Sequence, residues 1–311
     1  MYQGAAAQRC HAVTKQLRSP RPFKLSSTTT RKMGGIILLV ALALTAAPLA
    51  VSAVPLAAAQ LPVAVAHRGA SGDAPENTMA AFKLAVDLGS AGFETDVHMT
   101  RDGVVVLLHD ADIRRTTRGW PDDLPSYNIA SLDWDFVQTL DAGSWFSEEF
   151  VGERVPLLSE GLELSRQTGA LAYLDIKSTA TGAAGLAAIA QVLEDYRDIA
   201  HHVIVGVWSD GALNLANEAG LPELSDLSFI SSTPPLDFQR FTELNCKSFN
   251  INHALQTAVW VQLAQTAGFE VFAWTVNDEA TIARMVEIGV DAIVTDFPAR
   301  VPNATAQLPV N

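Results

Sequence analysis

Short apolar runs rich in β-branched residues alternate with longer segments of helical periodicity from residue 63 onward. The eight runs that indicate strands are 63–66, 92–97, 171–176, 203–207, 227–230, 248–251, 271–274 and 292–294. The segments of helical periodicity between them are 79–88, 159–168, 184–196, 211–219, 257–267 and 279–288. This alternation predicts parallel strands joined by helices. Eight such units predict an α/β fold of the (β/α)8 TIM-barrel type, which occupies about 250 residues as one domain.

Two segments interrupt the alternation. Arg101-Asp102-Gly103 is typical of a hairpin turn, and it leads into an additional apolar run at 104–108. Residues 111–156 are too many for an ordinary connection, so they predict a small lobe inserted after His109-Asp110. No internal repeat is apparent beyond the strand–helix alternation. The large apolar side chains of the lobe form its own core or line a groove; they are Trp120, Trp134, Phe136, Trp145, Phe146 and Phe150.

The first 60 residues have the composition of a leader, with seven Lys or Arg and no Asp or Glu. Arg31-Lys32 precede an apolar run at 36–47, and small-residue cleavage sites follow at Ala53 and near Ala59, which is typical of a signal peptide. We therefore expect a secreted protein. Without cleavage, residues 36–59 are long enough to form a membrane anchor, and the acid-free start is also typical of organelle targeting. We assign residues 61–300 to the barrel and 301–311 to a polar tail.

The charge of the body limits its partners. Beyond residue 60 the chain has 14 basic and 34 acidic residues, a balance that disfavours binding to nucleic acid and to anionic membranes. We expect a small-molecule substrate and no stable membrane insertion of the mature body. Of the two cysteines only Cys246 lies beyond the leader, so no disulfide is expected, and Cys246 is interpreted as a small buried residue.

Chemically active side chains lie where the predicted strands end. Because the carboxyl ends of barrel strands meet at one mouth, we expect these side chains to converge. Glu94 and Asp96 are two residues apart and share one face of their strand, as do Asp175 and Lys177. The set that the strand ends deliver is His67, Arg68, Glu94, Asp96, His109, Asp175 and Lys177.

These residue types point to phosphodiester chemistry. Glu94, Asp96 and Asp175 predict an oxygen-rich site for a divalent cation such as Mg²⁺ or Ca²⁺. The histidines His67 and His109 are suited to general acid and general base roles on either side of a phosphorus centre. Positive charge for a phosphodiester is available from two further residues at the mouth, Arg68 and Lys177.

Several short motifs, in order along the chain, closely resemble those of glycerophosphodiester phosphodiesterases. The amino-terminal motifs are His67-Arg68-Gly69-Ala70, Pro75-Glu76-Asn77-Thr78, Glu94-Thr95-Asp96-Val97, Asp102-Gly103 and His109-Asp110. The later motifs are Ala142-Gly143-Ser144-Trp145-Phe146, Leu174-Asp175-Ile176-Lys177, Trp274-Thr275-Val276-Asn277, Gly289-Val290-Asp291 and Thr295-Asp296. The resemblance spans residues 63–298, and it is specific because many motifs agree in order.

The resemblance implies a role for each matching residue. His67 and His109 would form the acid/base pair, and Glu94, Asp96 and Asp175 would hold the divalent metal. Arg68 and Lys177 would contact the phosphate. Trp274 would line the pocket against the alcohol part of the substrate or pack at the barrel mouth. The implied reaction is hydrolysis of a glycerophosphodiester to sn-glycerol 3-phosphate and an alcohol. For Pro75-Glu76-Asn77-Thr78 a structural role is favoured, with Asn77 or Thr78 as a helix cap.

One departure leaves alternatives open. The family more often has Glu at the position of Asp175, whereas Asp with Lys two residues later also occurs in related barrel phospholipases D that act on sphingomyelin and lysolipids. A lysophospholipase D or sphingomyelinase D activity on a lysolipid substrate is therefore a second hypothesis. A third is a catalytically silent barrel that binds phosphodiesters.

Overall fold

The computed structural model describes residues 61–301, so the predicted leader and most of the tail lie outside the described residues. Eight parallel strands close into a barrel, which confirms the predicted fold. The closure is made by β1, which pairs with both β2 and β9. The strands are β1 Val63–Ala66, β2 Gly92–Met99, β3 Val105–Leu107, β4 Leu171–Ile176, β5 Val203–Val207, β6 Asp226–Ser231, β7 Cys246–Asn252, β8 Glu270–Trp274 and β9 Ala292–Thr295.

Helices cover the outside of the barrel, apart from a four-residue helix of the inserted lobe, Trp134–Val137. They are α1 Met79–Asp87, α2 Trp134–Val137, α3 Leu158–Thr168, α4 Ala183–Glu194, α5 Asp210–Glu218, α6 Phe238–Glu243, α7 Ala258–Thr266 and α8 Glu279–Ile288. The sequence pattern missed α6 and α2, because helices of six and four residues are too short to show a 3.6-residue period. The main core lies between helices and barrel, as for Phe82 and Phe93, which stack with ring centroids 4.6 Å apart.

The barrel interior is filled by side chains at alternate positions of the strands. Val65, Tyr173, Ile204, Ile230 and Phe272 belong to this inner cluster. Tyr173 is fully buried, and its hydroxyl donates to Ser228 Oγ at 2.9 Å. The packing depends on Gly206, because a Cβ there would lie 2.7 Å from Tyr173 Oη and 2.8 Å from Ile230 Cδ1. The interior is therefore a packed core beneath the mouth.

The inserted lobe follows β3, which pairs antiparallel with β2. Trp120, Trp134 and Phe136 pack against buried residues of the lobe, and Phe146 contacts both Trp145 and Phe150 edge to face. The packing of Trp120, Trp134 and Phe136 therefore supports the interpretation that these rings form the core of the lobe. The loop of the Ala-Gly-Ser-Trp-Phe motif is held by Asp141, which accepts from the backbone N–H groups of Gly143, Ser144 and Gly152 at 2.7–2.9 Å.

Two further expectations are tested by the described residues. Cys246 is buried, and burial raises the pKa of its thiol to about 12, so it is a packing residue and not a nucleophile. Within 61–301 no helix has the length and hydropathy needed to cross a membrane.

A further acid, Glu270, lies at the end of the barrel opposite the mouth, where β8 begins. Burial, followed by the nearby charges of Asp291 and Asp226, raises the pKa of Glu270 to about 7. The folded state therefore holds this proton more tightly than the unfolded chain, in which the pKa is near 4.5. The stability that the folded state gains from the protonated Glu270 is fully present below about pH 4.5 and is lost as the pH rises to about 7.

Replacing Glu270 by Gln should therefore stabilise the protein at pH 8 by about 3 kcal/mol and change its stability little at pH 4.5. Thermal melts of both proteins at the two pH values measure the difference. Exposed Glu218, at the end of α5, provides a control of equal charge, and Glu218→Gln should change the stability little because the side chain is exposed. Equal stabilities of wild type and Glu270→Gln at pH 8 would show that the buried charge is not unfavourable.

Candidate active site

His67 follows β1 at the barrel mouth. Its Nδ1 lies 2.6 Å from Oδ1 of Asp296, which follows β9, so Nε2 is the ring nitrogen left for proton transfer. Asp296 is itself held by Asn277, whose Nδ2 donates to Oδ2 at 2.6 Å. Burial alone would lower the pKa of His67, but the hydrogen bond with Asp296 and the charge of Glu94 outweigh it, so the pKa is raised.

Arg68 has a backbone conformation that few side chains adopt. Its φ is +57°, and the following residue, Gly69, has φ +79°. At Gly69 a Cβ would lie 2.6 Å from Ala81, so only glycine fits there. This turn brings the Arg68 backbone N–H within 2.8 Å of Glu94 Oε2 and directs the guanidinium to Glu76, with Nη1 to Oε1 at 2.9 Å. Uncommon backbone conformations of this kind concentrate at functional sites.

Glu94, Asp96 and Asp175 come together as the sequence predicts. One carboxylate oxygen from each lies within 4.8 Å of the others, and all three residues are buried. Asp96 of β2 pairs directly with Asp175 of β4, which explains the convergence. Burial and the charge of Asp96 raise the pKa of Glu94 to about 8, so the negative charges repel one another strongly. A divalent cation would relieve this repulsion, and three carboxylate oxygens are a donor set that Mg²⁺ and Ca²⁺ accept.

Lys177 and Trp208 contact the carboxylates of this cluster. The Nζ atom of Lys177 lies 2.8 Å from Asp96 Oδ1 and 2.6 Å from Asp175 Oδ2. Burial opposes the charge of this ammonium, but the carboxylates, Asp96 first, raise its pKa. Asp175 Oδ1 accepts from Trp208 Nε1 at 2.7 Å. The short side chain of Asp175 thus still reaches the cluster, with both of its oxygens hydrogen-bonded.

His109 belongs to a second histidine–aspartate pair. Its Nδ1 lies 2.6 Å from Asp110 Oδ1, which again leaves Nε2 for chemistry. Arg115 of the lobe donates to Asp110 Oδ2 from Nε at 2.5 Å. Its Nη atoms donate to both carboxylate oxygens of Glu76 at 2.7–2.8 Å. The hydrogen bond from Arg115 first, and then that from His109, lower the pKa of Asp110 to about 2 despite burial. Because Glu76 also binds Arg68, an ion-pair chain connects the lobe to the barrel mouth.

The backbone at His109 is held by another histidine. His98 is buried on β2, and its Nε2 lies 3.0 Å from the carbonyl oxygen of His109. Thr179 Oγ1 accepts from the Met99 backbone N–H at 3.0 Å and lies 2.7 Å from His98 Nδ1. The pattern is satisfied when His98 is neutral with its proton on Nε2, in agreement with burial lowering its pKa.

Comparisons with known proteins identify the family. Residues 67–300 match the model of the glycerophosphoryl diester phosphodiesterase family, which is more than half of the chain. The chain belongs to this family. A glycerophosphodiester phosphodiesterase of Caldanaerobacter subterraneus is 32% identical over 244 residues, which cover 77% of this chain and 96% of that protein. The chain is accordingly a phosphoric diester hydrolase.

Solved structures agree with this assignment. A phosphodiesterase of Oleispira antarctica, in complex with the product sn-glycerol 3-phosphate, has a TM-score of 0.70 and 30% identity, over 79% of this chain and 98% of that chain. A glycerophosphodiester phosphodiesterase of Agrobacterium tumefaciens has a TM-score of 0.66 and 26% identity, over 78% and 99% of the two chains. Almost the whole length of each relative is therefore represented in the described barrel.

A cavity of about 330 Å³ opens on the His67 side of the phosphodiesterase mouth. It is lined by His67, Arg68, Ser71, Glu76, Thr275, Asn277 and Asp296. Trp274 does not line this cavity: its Nε1 donates to the carbonyl oxygen of Asn250 at 3.0 Å, and its ring packs edge to face on Trp208 at 5.5 Å. These contacts agree with the second of the two roles expected for Trp274, that of a packing residue at the mouth.

The sequence analysis assigned no role at the site to several residues that support it. Asp296 and Asp110 orient the histidines, Arg115 and Glu76 form the ion-pair chain, and Trp208 holds Asp175. Of the two residues considered as helix caps, Thr78 is the cap, because its Oγ1 accepts from Ala81 N. Asn77 instead donates to Asp96. The sequence did contain a signal for two of them: Asp110 directly follows His109, and Asp296 directly follows Thr295 at the end of a predicted strand.

Proposed function

We propose that this phosphodiesterase hydrolyses glycerophosphodiesters to sn-glycerol 3-phosphate and an alcohol, with a divalent cation and two histidines. One observation carries the proposal. Two histidines, each with Nδ1 at 2.6 Å from an aspartate, lie at the same barrel mouth as three buried carboxylates within 4.8 Å of one another. The product bound in the Oleispira relative, sn-glycerol 3-phosphate, supports the choice of substrate class.

Glu94, Asp96 and Asp175 would hold the cation through one oxygen each. When bound, a divalent cation supplies charge neutralisation for the phosphodiester and for the negative charge that develops on its oxygens. The donors are all carboxylate oxygens, which favours Mg²⁺ or Ca²⁺ over metals that prefer nitrogen or sulfur. The proximity of Lys177 to Asp96 and Asp175 partly neutralises the cluster, so it also tunes how strongly these residues attract a cation.

The histidines would exchange protons with the attacking and leaving groups. In hydrolysis one histidine accepts a proton at Nε2 from the attacking group, which is water or the neighbouring hydroxyl of the glycerol, and the other donates a proton from Nε2 to the departing alcohol oxygen. Asp296 and Asp110 fix each ring through Nδ1 and stabilise its protonated form. Arg68 and Lys177 would contact phosphate oxygens, because each carries buried positive charge at the rim of the carboxylate cluster.

A substrate panel tests the substrate class. The purified protein is incubated with glycerophosphocholine and with lysophosphatidylcholine in Mg²⁺ or Ca²⁺, and the products are separated by mass spectrometry. We expect sn-glycerol 3-phosphate and choline from glycerophosphocholine. Cleavage of lysophosphatidylcholine alone would replace the proposal with a lysophospholipase D activity. Binding of either compound without cleavage would favour a silent phosphodiester-binding barrel.

A further inference from the structure

The segments that carry Asp96 and Asp296 correspond to each other at a constant offset of 200 residues. Residues 77–96 align with residues 277–296 without a gap, and six of the twenty positions are identical. Both segments run from an asparagine through a helix, α1 or α8, to a glycine with φ +79° and then into a strand, β2 or β9. The sequence analysis found no repeat beyond the strand–helix alternation, and it missed this correspondence between two of the units.

The first unit holds its aspartate through an asparagine. Asn77 Oδ1 accepts from Thr95 Oγ1 at 2.7 Å and from the Asp96 backbone N–H at 3.1 Å. Its Nδ2 donates to Asp96 Oδ2 at 2.7 Å. Asn77, with φ +55°, is one of the few non-glycine residues with positive φ in the described chain, so the backbone is adapted to place this amide.

The second unit repeats the same three hydrogen bonds. Asn277 Oδ1 accepts from Thr295 Oγ1 at 3.2 Å and from the Asp296 backbone N–H at 2.9 Å, and Nδ2 donates to Asp296 Oδ2 at 2.6 Å. We call the trios Asn77–Thr95–Asp96 and Asn277–Thr295–Asp296 the amide clamps. In each clamp the amide binds Oδ2 of the aspartate, and Oδ1 has a different partner, which is Lys177 at Asp96 and His67 at Asp296.

The clamps lie on opposite sides of β1, because β1 pairs with β2 and with β9. They hold consecutive residues at the end of that strand. Asp96 Oδ2 lies 3.3 Å from Arg68 Nε, and Asp296 Oδ1 lies 2.6 Å from His67 Nδ1. Because Arg68 has a positive φ, its side chain and that of His67 point in different directions. Arg68 faces the clamp of Asp96, and His67 faces the clamp of Asp296.

We propose that Asn77 and Asn277 are equivalent positioning residues with different effects. Asn77 fixes the Asp96 carboxylate for the cation and Arg68, whereas Asn277 fixes the Asp296 carboxylate for His67. Groups that hydrogen-bond a ligand carboxylate or a catalytic histidine partner set its orientation, and their loss typically weakens metal affinity or activity about 10–100-fold. The inference rests on the proposed function for the roles of Asp96 and His67.

The repeat provides its own matched control, because Asn77→Ala and Asn277→Ala remove the same three hydrogen bonds at two places. Mg²⁺ and Ca²⁺ binding is measured by titration calorimetry, and the tautomer of His67 by ¹⁵N NMR of histidine-labelled protein, with His67→Gln to assign the signal. Asn77→Ala should raise the cation Kd about 10–100-fold and leave His67 protonated on Nδ1. Asn277→Ala should leave the Kd within about twofold, give a mixture of His67 tautomers, and lower kcat about 10–100-fold.

A change in the same readout by both variants, or a loss of thermal stability alone, would overturn the proposal. If either alanine variant does not fold, Thr95→Val and Thr295→Val replace it, since each removes one hydrogen bond to an asparagine without changing side-chain volume. Thr295→Val also removes the hydrogen bond that Thr295 Oγ1 accepts from the Phe297 backbone N–H. The same division of effects, smaller in size, is then expected. If wild type binds neither cation, the proposed function fails, while the tautomer measurement on Asn277→Ala still decides the role of that residue.

Discussion

Replacing His109 by Ala should lower kcat about 10²–10⁴-fold at saturating cation, and replacing His67 by Ala should have an effect of the same size. Each variant removes an imidazole whose orientation is fixed by an aspartate at 2.6 Å, so neither proton transfer has a substitute group in place. The measurement is steady-state release of glycerol 3-phosphate from glycerophosphocholine. The double variant should be little worse than either single one, because residues that act as a unit are not additive.

A control separates this effect from a general loss of stability. His201 is exposed and belongs to the turn that precedes β5, at the end of the barrel away from the mouth, so His201→Ala should retain wild-type kcat. Retention of wild-type activity in either His67→Ala or His109→Ala would exclude that histidine from the proton transfers.

Replacing Asp96 by Asn should raise the cation Kd by about 10²-fold or more and reduce hydrolysis to near background at millimolar cation. Asp96 is the residue where the cation site, Arg68 and Lys177 meet, with Lys177 Nζ at 2.8 Å and Arg68 Nε at 3.3 Å. These charges, Lys177 first, hold its pKa well below the usual range against the effect of burial. The carboxylate is therefore ionised throughout the working pH range, which a cation ligand requires.

Asp96→Asn changes the charge of the side chain and leaves its volume almost the same, so it tests the contribution of the charge. Calorimetric titration with Mg²⁺ and Ca²⁺ measures the affinity, and Asp87→Asn, at the exposed end of α1, is a control of equal charge. A cation affinity of Asp96→Asn equal to that of wild type would remove Asp96 from the ligand set. Addition of chelator to wild type should reproduce the loss of activity, and excess cation should restore it.

Much of the fold could be predicted because the barrel imposes a regular pattern on the chain. The strand that carries Asp175 was predicted with the bounds that the structure shows, since its six apolar-rich residues are flanked by helical segments. Helix α6 was not predicted, because six residues give less than two turns of periodicity. Its place is set by tertiary packing, with Phe241 buried against Phe249 at a ring distance of 5.1 Å.

The sequence predicted the part of the candidate site that the topology of the barrel brings together. Glu94, Asp96 and Asp175 follow from the rule that strand ends meet at one mouth, and the structure brings them within 4.8 Å. The supporting contacts could not be predicted, since they join residues distant along the chain. Asp296 is 229 positions from His67, and Arg115 is 39 positions from Glu76. A side chain's partner at such separations depends on rotamers and loop paths, which periodicity does not encode.

Local motifs were also ambiguous where one residue type serves two purposes. In Pro75-Glu76-Asn77-Thr78, asparagine and threonine are both good helix caps, and only the structure shows that Thr78 caps α1 while Asn77 binds Asp96. The same ambiguity conceals the second clamp, where Asp278 caps α8 and Asn277 binds Asp296.

The most direct test of metal-dependent hydrolysis by this site is the release of sn-glycerol 3-phosphate from glycerophosphocholine by the purified protein, before and after removal of divalent cations. We predict release in Mg²⁺ or Ca²⁺, its loss after chelation, and its return when the cation is restored. Undiminished release in the chelated protein would contradict a catalytic role for a cation held by Glu94, Asp96 and Asp175.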